Sequence, residues 1–161
     1  MNYESYNAVS VADDLSSFDF VSKGKKGEIR KRIIFMPTAL PDIYILAFGN
    51  ITESGDLDDL SISDNGDRNK ILATIATAVD IYTERHPDRM IYFMGSTKQR
   101  TRLYRMAVGL NLDELSRTYN IYSEPEKGFE FKLFYKNMEI NAFLIKRKPL
   151  NSSVANCSPF S

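Results

Sequence analysis

FDFVSKGKKGEIRKRIIF, residues 18–35, decides how this chain folds. FDFVS at 18–22 alternates as a strand does, and KGKKG at 23–27 supplies two glycines for a turn. In GEIRKRIIFM at 27–36, Ile29, Ile33 and Phe35 fall on one face and Arg30, Arg32 and Ile34 on the other. That is the period of two of a half-buried antiparallel strand. The two segments therefore predict a hairpin with a basic loop.

Working outward, the prolines of MPTALPD at 36–42 end the strand, and IYILAF at 43–48 is continuously apolar. Such a run suits a central strand covered on both faces. Residues 49–67 are rich in Gly, Asp, Ser and Asn and read as loop, with a short strand around Leu60 and Ile62. Asp67 is placed to cap a helix in which Ile71, Leu72, Ile75, Val79 and Tyr82 recur at helical spacing until His86-Pro87. RMIYFM at 89–94 reads as another buried strand. Gly95-Ser96-Thr97 turns it into a second helix whose apolar stripe is Leu103, Met106, Ala107 and Leu110, and a third helix covers Asp113 to Tyr119.

The C-terminal part returns to strands. FEFKLFY at 129–135 sets Phe129, Phe131, Leu133 and Tyr135 on one face, and EINAFLIKR at 139–147 pairs with it across a tight turn near Asn137. Strands in blocks with helices inserted between them predict an α+β fold. The expected architecture is a curved, mainly antiparallel sheet with two or three helices packed on one face. One globular domain over 1–148 and a flexible tail over 149–161 complete the expectation.

Composition excludes several classes of function. Lys plus Arg equals Asp plus Glu at 21 each, so no global field draws the protein to nucleic acid or to an anionic membrane. The single cysteine, Cys157, leaves no internal disulfide and no cysteine cluster for a metal. The N-terminus lacks the charged start and apolar core of a signal peptide, and no run of about 18 apolar residues occurs. A cytoplasmic protein without a membrane span is expected, with no cofactor and no metal implied.

Charge is nonetheless segregated along the chain. Lys23, Lys25, Lys26, Arg30, Lys31 and Arg32 crowd the hairpin beside Phe18 and Phe20, an arrangement that suits backbone attraction and base stacking of a single strand. Glu53, Asp56, Asp58, Asp59, Asp64 and Asp67 follow in a stretch without cations, but their spacing does not match a calcium loop. After the Gly-Ser-Thr turn, the first amides of the helix suit an anion, and Ser96 and Thr97 add hydroxyls. With Leu103 centred on the buried stripe, Lys98, Thr101, Arg102 and Arg105 face outward, while Arg100 and Tyr104 share the boundary. His86, the only histidine, stands at a helix end where a cation is favourable. No nucleophile elbow, metalloprotease His pair or Cys–His couple is present.

The segments FDFVSKGKKGEIRKRIIF at 18–35, IYILAFGN at 43–50, DNGDRNKILATIATAV at 64–79 and GSTKQRTRLY at 95–104 resemble an uncharacterised family of small bacterial proteins, a domain of unknown function. The likeness runs from about Tyr3 to Lys148, and its most specific part is Gly-Ser-Thr, two variable residues, Arg-Thr, one variable residue, Leu-Tyr. The leading strands are also loosely similar to the strand-rich half of whirly- and Pur-type single-stranded nucleic-acid binders. The resemblance implies the extent of the domain and carries no activity with it.

The functional expectation is a domain that binds a phosphate-bearing ligand, foremost single-stranded nucleic acid. Its contacts are Ser96, Thr97, Arg100, Arg102, Tyr104 and Arg105 at the corner, with Lys25, Lys26, Arg30 and Arg32 on the hairpin. A different class of reading is a protein-interaction module of a bacterial two-gene system, which allows a homo-oligomer. A third is a His-free ribonuclease using Arg100, Arg102, Tyr104 and Arg105 to stabilise a phosphorane-like transition state. The balance leans away from an enzyme.

Overall fold

A computed structural model describes residues 3–59, 64–126 and 130–149. The elements run β1 (Ser10–Val11), β2 (Ser17–Gly24), β3 (Gly27–Pro37), β4 (Ile43–Ile51), β5 (Leu57–Asp58), α1 (Arg68–Arg85), β6 (Met90–Phe93), α2 (Lys98–Leu110), α3 (Leu112–Thr118), β7 (Tyr119–Pro125), β8 (Lys132–Leu133) and β9 (Ile140–Arg147). They form an α+β fold around one open sheet in the order β1-β2-β3-β4-β6-β9-β7-β8, with β5 paired to β4. Every pairing is antiparallel except β4 with β6, which α1 connects in the manner of a crossover.

The hairpin forms as its alternation dictates, Phe18 opposite Ile33 and Phe20 opposite Lys31. These residues, with Phe35, Leu46, Ile91, Phe143 and Ile145, face the helices and make the core. Tyr82 of α1 stacks on Phe35 with ring centroids 4.0 Å apart, and Tyr104 of α2 meets Phe93 edge-on at 6.0 Å. All three helices lie on this side.

The opposite side of the sheet corrects the reading of β4 as covered on both faces. Directly paired residues Met36, Ile45, Tyr92, Leu144, Tyr122 and Leu133 cross six strands there in one row, and among the described residues no helix packs over them. Ile45 stays 37% exposed and Leu133 66%. A continuous apolar run records that a strand is central, not that a second layer exists to cover it.

The C-terminal pairing also differs from expectation. β7, hidden between α3 and Pro125, is the strand that pairs with β9, and the short β8 lies on its other side. The turn at Asn137 exists, with a left-handed φ of 68°, but it joins strands that are not neighbours. Tyr119, Ile121 and Ser123 alternate inward in β7. A buried serine and flanking Asn120 and Glu124 mask that period in the sequence. The strand expected around Leu60 and Ile62, the residue Phe129 and the tail from 150 lie outside the described residues.

Candidate functional site

The corner between β6 and α2 is tied to itself residue by residue. Thr97 is the N-cap of α2, and its hydroxyl accepts from the Arg100 amide at 3.2 Å. Arg100 Nη1 turns back to donate to Ser96 Oγ at 2.7 Å and to the Asp59 carbonyl at 2.5 Å. The Thr101 hydroxyl accepts from the Gly95 amide at 3.0 Å. A Cβ on Gly95 would lie 2.4 Å from both Arg100 Cβ and Thr101 N, so only glycine lets the chain pass this close to the helix. The Gly-Ser-Thr-x-x-Arg-Thr spacing thus has a structural cause at each of its residues.

These ties rotate α2 by about one residue, near 100°, from the expected orientation. Thr101, expected outside, is buried, and the inward stripe is Thr101, Tyr104 and Val108. Met106 and Leu110, expected inside, are 52% and 74% exposed. Arg105, expected among solvated cations, has a largely covered side chain paired to Glu139 at 2.8 Å. It shares an open groove with Lys98 and Arg102 on one wall and Glu124, Glu126 and Glu139 on the other. Burial raises the Tyr104 hydroxyl above the ordinary tyrosine range, with Arg100 lowering it in part. Arg105 and Tyr104 therefore leave α2 in different directions, which sets Arg105 apart from the other three residues of the ribonuclease reading.

The hairpin cations divide between the two sides of the sheet. Phe18 and Phe20 are core residues, 5% and 1% exposed, with no face open to a base. Arg30 and Arg32 project from the side without helices, and Arg32 grips Asp19 through two bonds of 2.7 and 2.9 Å. Lys25 and Lys26 form the turn itself; Lys25 stands 3.8 Å from Asp64, both well exposed. The Lys26 amide donates to Asn65 Oδ1 at 2.6 Å, and Asn65 Nδ2 donates in turn to Ser22 Oγ and the Gly27 carbonyl. Gly24 fits here because a Cβ would sit 1.9 Å from the Asn65 carbonyl oxygen. None of Lys25, Lys26, Arg30 and Arg32 shares a surface with Arg100, Arg102 and Arg105 of the corner.

One cation of the hairpin does point toward the helices. Lys31 shares the face of Ile29, Ile33 and Phe35, and it is only 4% exposed. Its ammonium donates to Asn50 Oδ1 at 2.7 Å and lies 5.4 Å from the centre of the Phe48 ring. Burial pushes its pKa below the ordinary lysine value; Asp67 pulls it up and Arg100 pushes it down. The alternation of β3 carried the signal, since a lysine in register with three apolar residues must enter the core side.

Lys31 lines a cleft of about 480 Å³ between the first turns of α1 and α2. Arg68, Arg100 and Arg102 line it too, so four cations meet two carboxylates, Asp64 and Asp67. Asp67 precedes α1 as expected but makes no side-chain cap; its Oδ2 accepts from Tyr6 Oη and Ser22 Oγ, both at 2.5 Å. Asp64 is the partner of Lys25. Both acids are thus engaged by the hairpin and the N-terminal segment. Ile71, Leu72, Ile75, Leu103 and Tyr104 supply an apolar wall. Of the expected contacts, Thr97, Arg100, Arg102 and Tyr104 come together here, while Ser96 stands behind Arg100; Lys31, named in the basic hairpin but not among the contacts, and Arg68 join them.

His86 closes α1, with its Nε2 3.0 Å from the Asp14 carbonyl, and is remote from this cleft. Among the described residues no group of three or more His, Cys, Asp and Glu could hold a metal ion, and no helix is long and apolar enough to cross a membrane. No curated protein and no solved structure matches the chain. A family model covers residues 2–148, and the chain belongs to that family, a family of unknown function (DUF6934).

Proposed function

We propose that the protein binds a compact phosphate-bearing ligand in the cleft between α1 and α2, with Lys31 at its floor and Arg68, Arg100 and Arg102 around it. The observation that carries the reading is Lys31. Its ammonium, held by Asn50 and the Phe48 ring, lines the cleft together with Arg68, Arg100 and Arg102, so four cations converge there on two carboxylates. A phosphate entering the cleft gains from the four cations in a partly desolvated setting, where charge-assisted bonds are short and strong. The first turns of both helices add their positive dipole ends.

The shape narrows the ligand. About 480 Å³ falls within the usual range for a small-molecule site. A track for a polymer needs cations spaced along a groove, and Arg30 and Arg32 leave by the far side of the sheet. Single-stranded nucleic acid is therefore the weaker form of the reading, one phosphate group the stronger.

Calorimetric titration with inorganic phosphate and with a short single-stranded RNA, at two salt concentrations, tests this. Phosphate is expected to bind and to weaken with salt, and the RNA slope to correspond to about one released counterion. A slope worth several phosphates would support the polymer instead. No phosphate binding at low salt would overturn the proposal.

A further inference from the structure

Behind the cleft lies a second space. A cavity of about 100 Å³ sits between the helices and the sheet, walled by Leu46, Val79, Val108, Ile121 and Ile145 among others. Tyr119 also lines it, but its hydroxyl is engaged by Asp80 at 3.0 Å. Walls of this kind offer water few hydrogen-bonding partners and suit an apolar group.

The cavity and the cleft are neighbours. Leu72, Ile75 and Tyr104 line both, so these three residues stand between the two spaces. All three are only half-buried, and Tyr104 is held from the cavity side by its edge-on contact with Phe93. Rotation of these side chains is the movement that would join the two spaces.

Resting on the reading of the cleft as a phosphate site, we propose that the ligand is amphiphilic. Its phosphate head lies among the cations, and a short apolar tail passes Tyr104 into the cavity. The volume sets the tail: an apolar cavity of about 150 Å³ takes a benzene ring, so about 100 Å³ takes about four carbons. The order of chemistry along the path supports this, from charged rim through the mixed wall of Leu72, Ile75 and Tyr104 to a wholly apolar end.

The test is a calorimetric series of methyl, butyl and octyl phosphate against the intact chain and against Ala107→Leu, which projects methyl groups into the cavity. Each added methylene is expected to strengthen binding about fourfold up to butyl, with no further gain at octyl. Ala107→Leu is expected to remove that gain and leave methyl phosphate unaffected. Equal affinity for methyl and butyl phosphate in the wild type overturns the tail while leaving the phosphate site standing. Butyl binding that ignores salt, with no methyl phosphate binding, overturns the head instead. Continued gain through octyl phosphate rejects the four-carbon limit and points to a lipid chain. Absence of binding throughout overturns both readings. Should Ala107→Leu not fold, the wild-type series decides the matter alone, and Ala76→Leu fills the same space from α1.

Discussion

Lys31 and Arg32 are neighbours in sequence and alike in charge, yet the two sides of the sheet treat them in opposite ways. Arg32 stands on the open side, locked onto Asp19 by a two-bond fork, and its guanidinium is held above the ordinary arginine value chiefly by that hydrogen bond. Lys31 stands on the helix side, almost wholly buried, with its pKa lowered by burial. Arg32 is a cation satisfied by the fold. Lys31 is held by Asn50 and the Phe48 ring and also lines the cleft, and perturbed groups of this kind gather where a ligand is held. Charge counted along a strand averages these two situations into one basic patch; the pleat separates them.

The comparison depends on the hairpin being fixed against the loop before α1, and Gly24→Ala is the sharpest way to break it. Its new methyl would fall 1.9 Å from the Asn65 carbonyl oxygen, which belongs to backbone and cannot swing aside. The Lys26–Asn65 and Asn65–Ser22 bonds would be disturbed with it. Denaturant unfolding should show a loss of about 3 kcal/mol. Gly27→Ala, whose Cβ meets nothing but whose φ is +87°, should lose less, about 1 kcal/mol. Equal losses would mean that the hairpin is not clamped at Asn65.

A smaller effect sharpens the contrast through pH. Because the native pKa of Lys31 lies below its unfolded value, the native state binds fewer protons in the window from that lowered value up to 10.5. The stability of the wild type should therefore rise with pH across that window relative to Lys31→Met, while phosphate affinity falls as the ammonium is lost. Taking the difference between wild type and variant cancels the tyrosines that titrate nearby, whose raised values act in the opposite sense. Thermal melts at stepped pH values read the difference directly; a flat difference would mean that the lysine is not strained by burial.

The sequence made β2, β3 and β4 legible because hydrophobic alternation and runs are local, and α1 because five apolar residues recur over almost its whole length. β7 escaped because Ser123, buried at 0% exposure, does not announce a core strand. The rotation of α2 escaped for a related reason. Thr101 is buried on account of the Gly95 backbone it bonds, a contact that no periodicity of hydrophobicity records. Of the cleft's lining, Thr97, Arg100, Arg102 and Tyr104 had been singled out by a cap and a charge pattern. Arg68 needed α1 and α2 to be brought start to start, which lies in tertiary structure alone. Lys31 was legible in principle, by its parity with Ile33 and Phe35, but it stands among five other cations, of which Lys25, Lys26, Arg30 and Arg32 were chosen as contacts in its place.

Titration of inorganic phosphate into the wild type, Lys31→Met and Arg32→Met, each with its melting temperature recorded, tests the central claim most directly. Both substitutions remove one charge from the same strand, so unspecific attraction changes equally and is screened at physiological salt. Lys31→Met should weaken phosphate by about tenfold or more while holding stability within about 1 kcal/mol of wild type. Arg32→Met should bind phosphate as the wild type does and lose about 1 kcal/mol of stability with its Asp19 pair. Wild-type phosphate affinity in Lys31→Met, or an equal loss in Arg32→Met, would contradict the account.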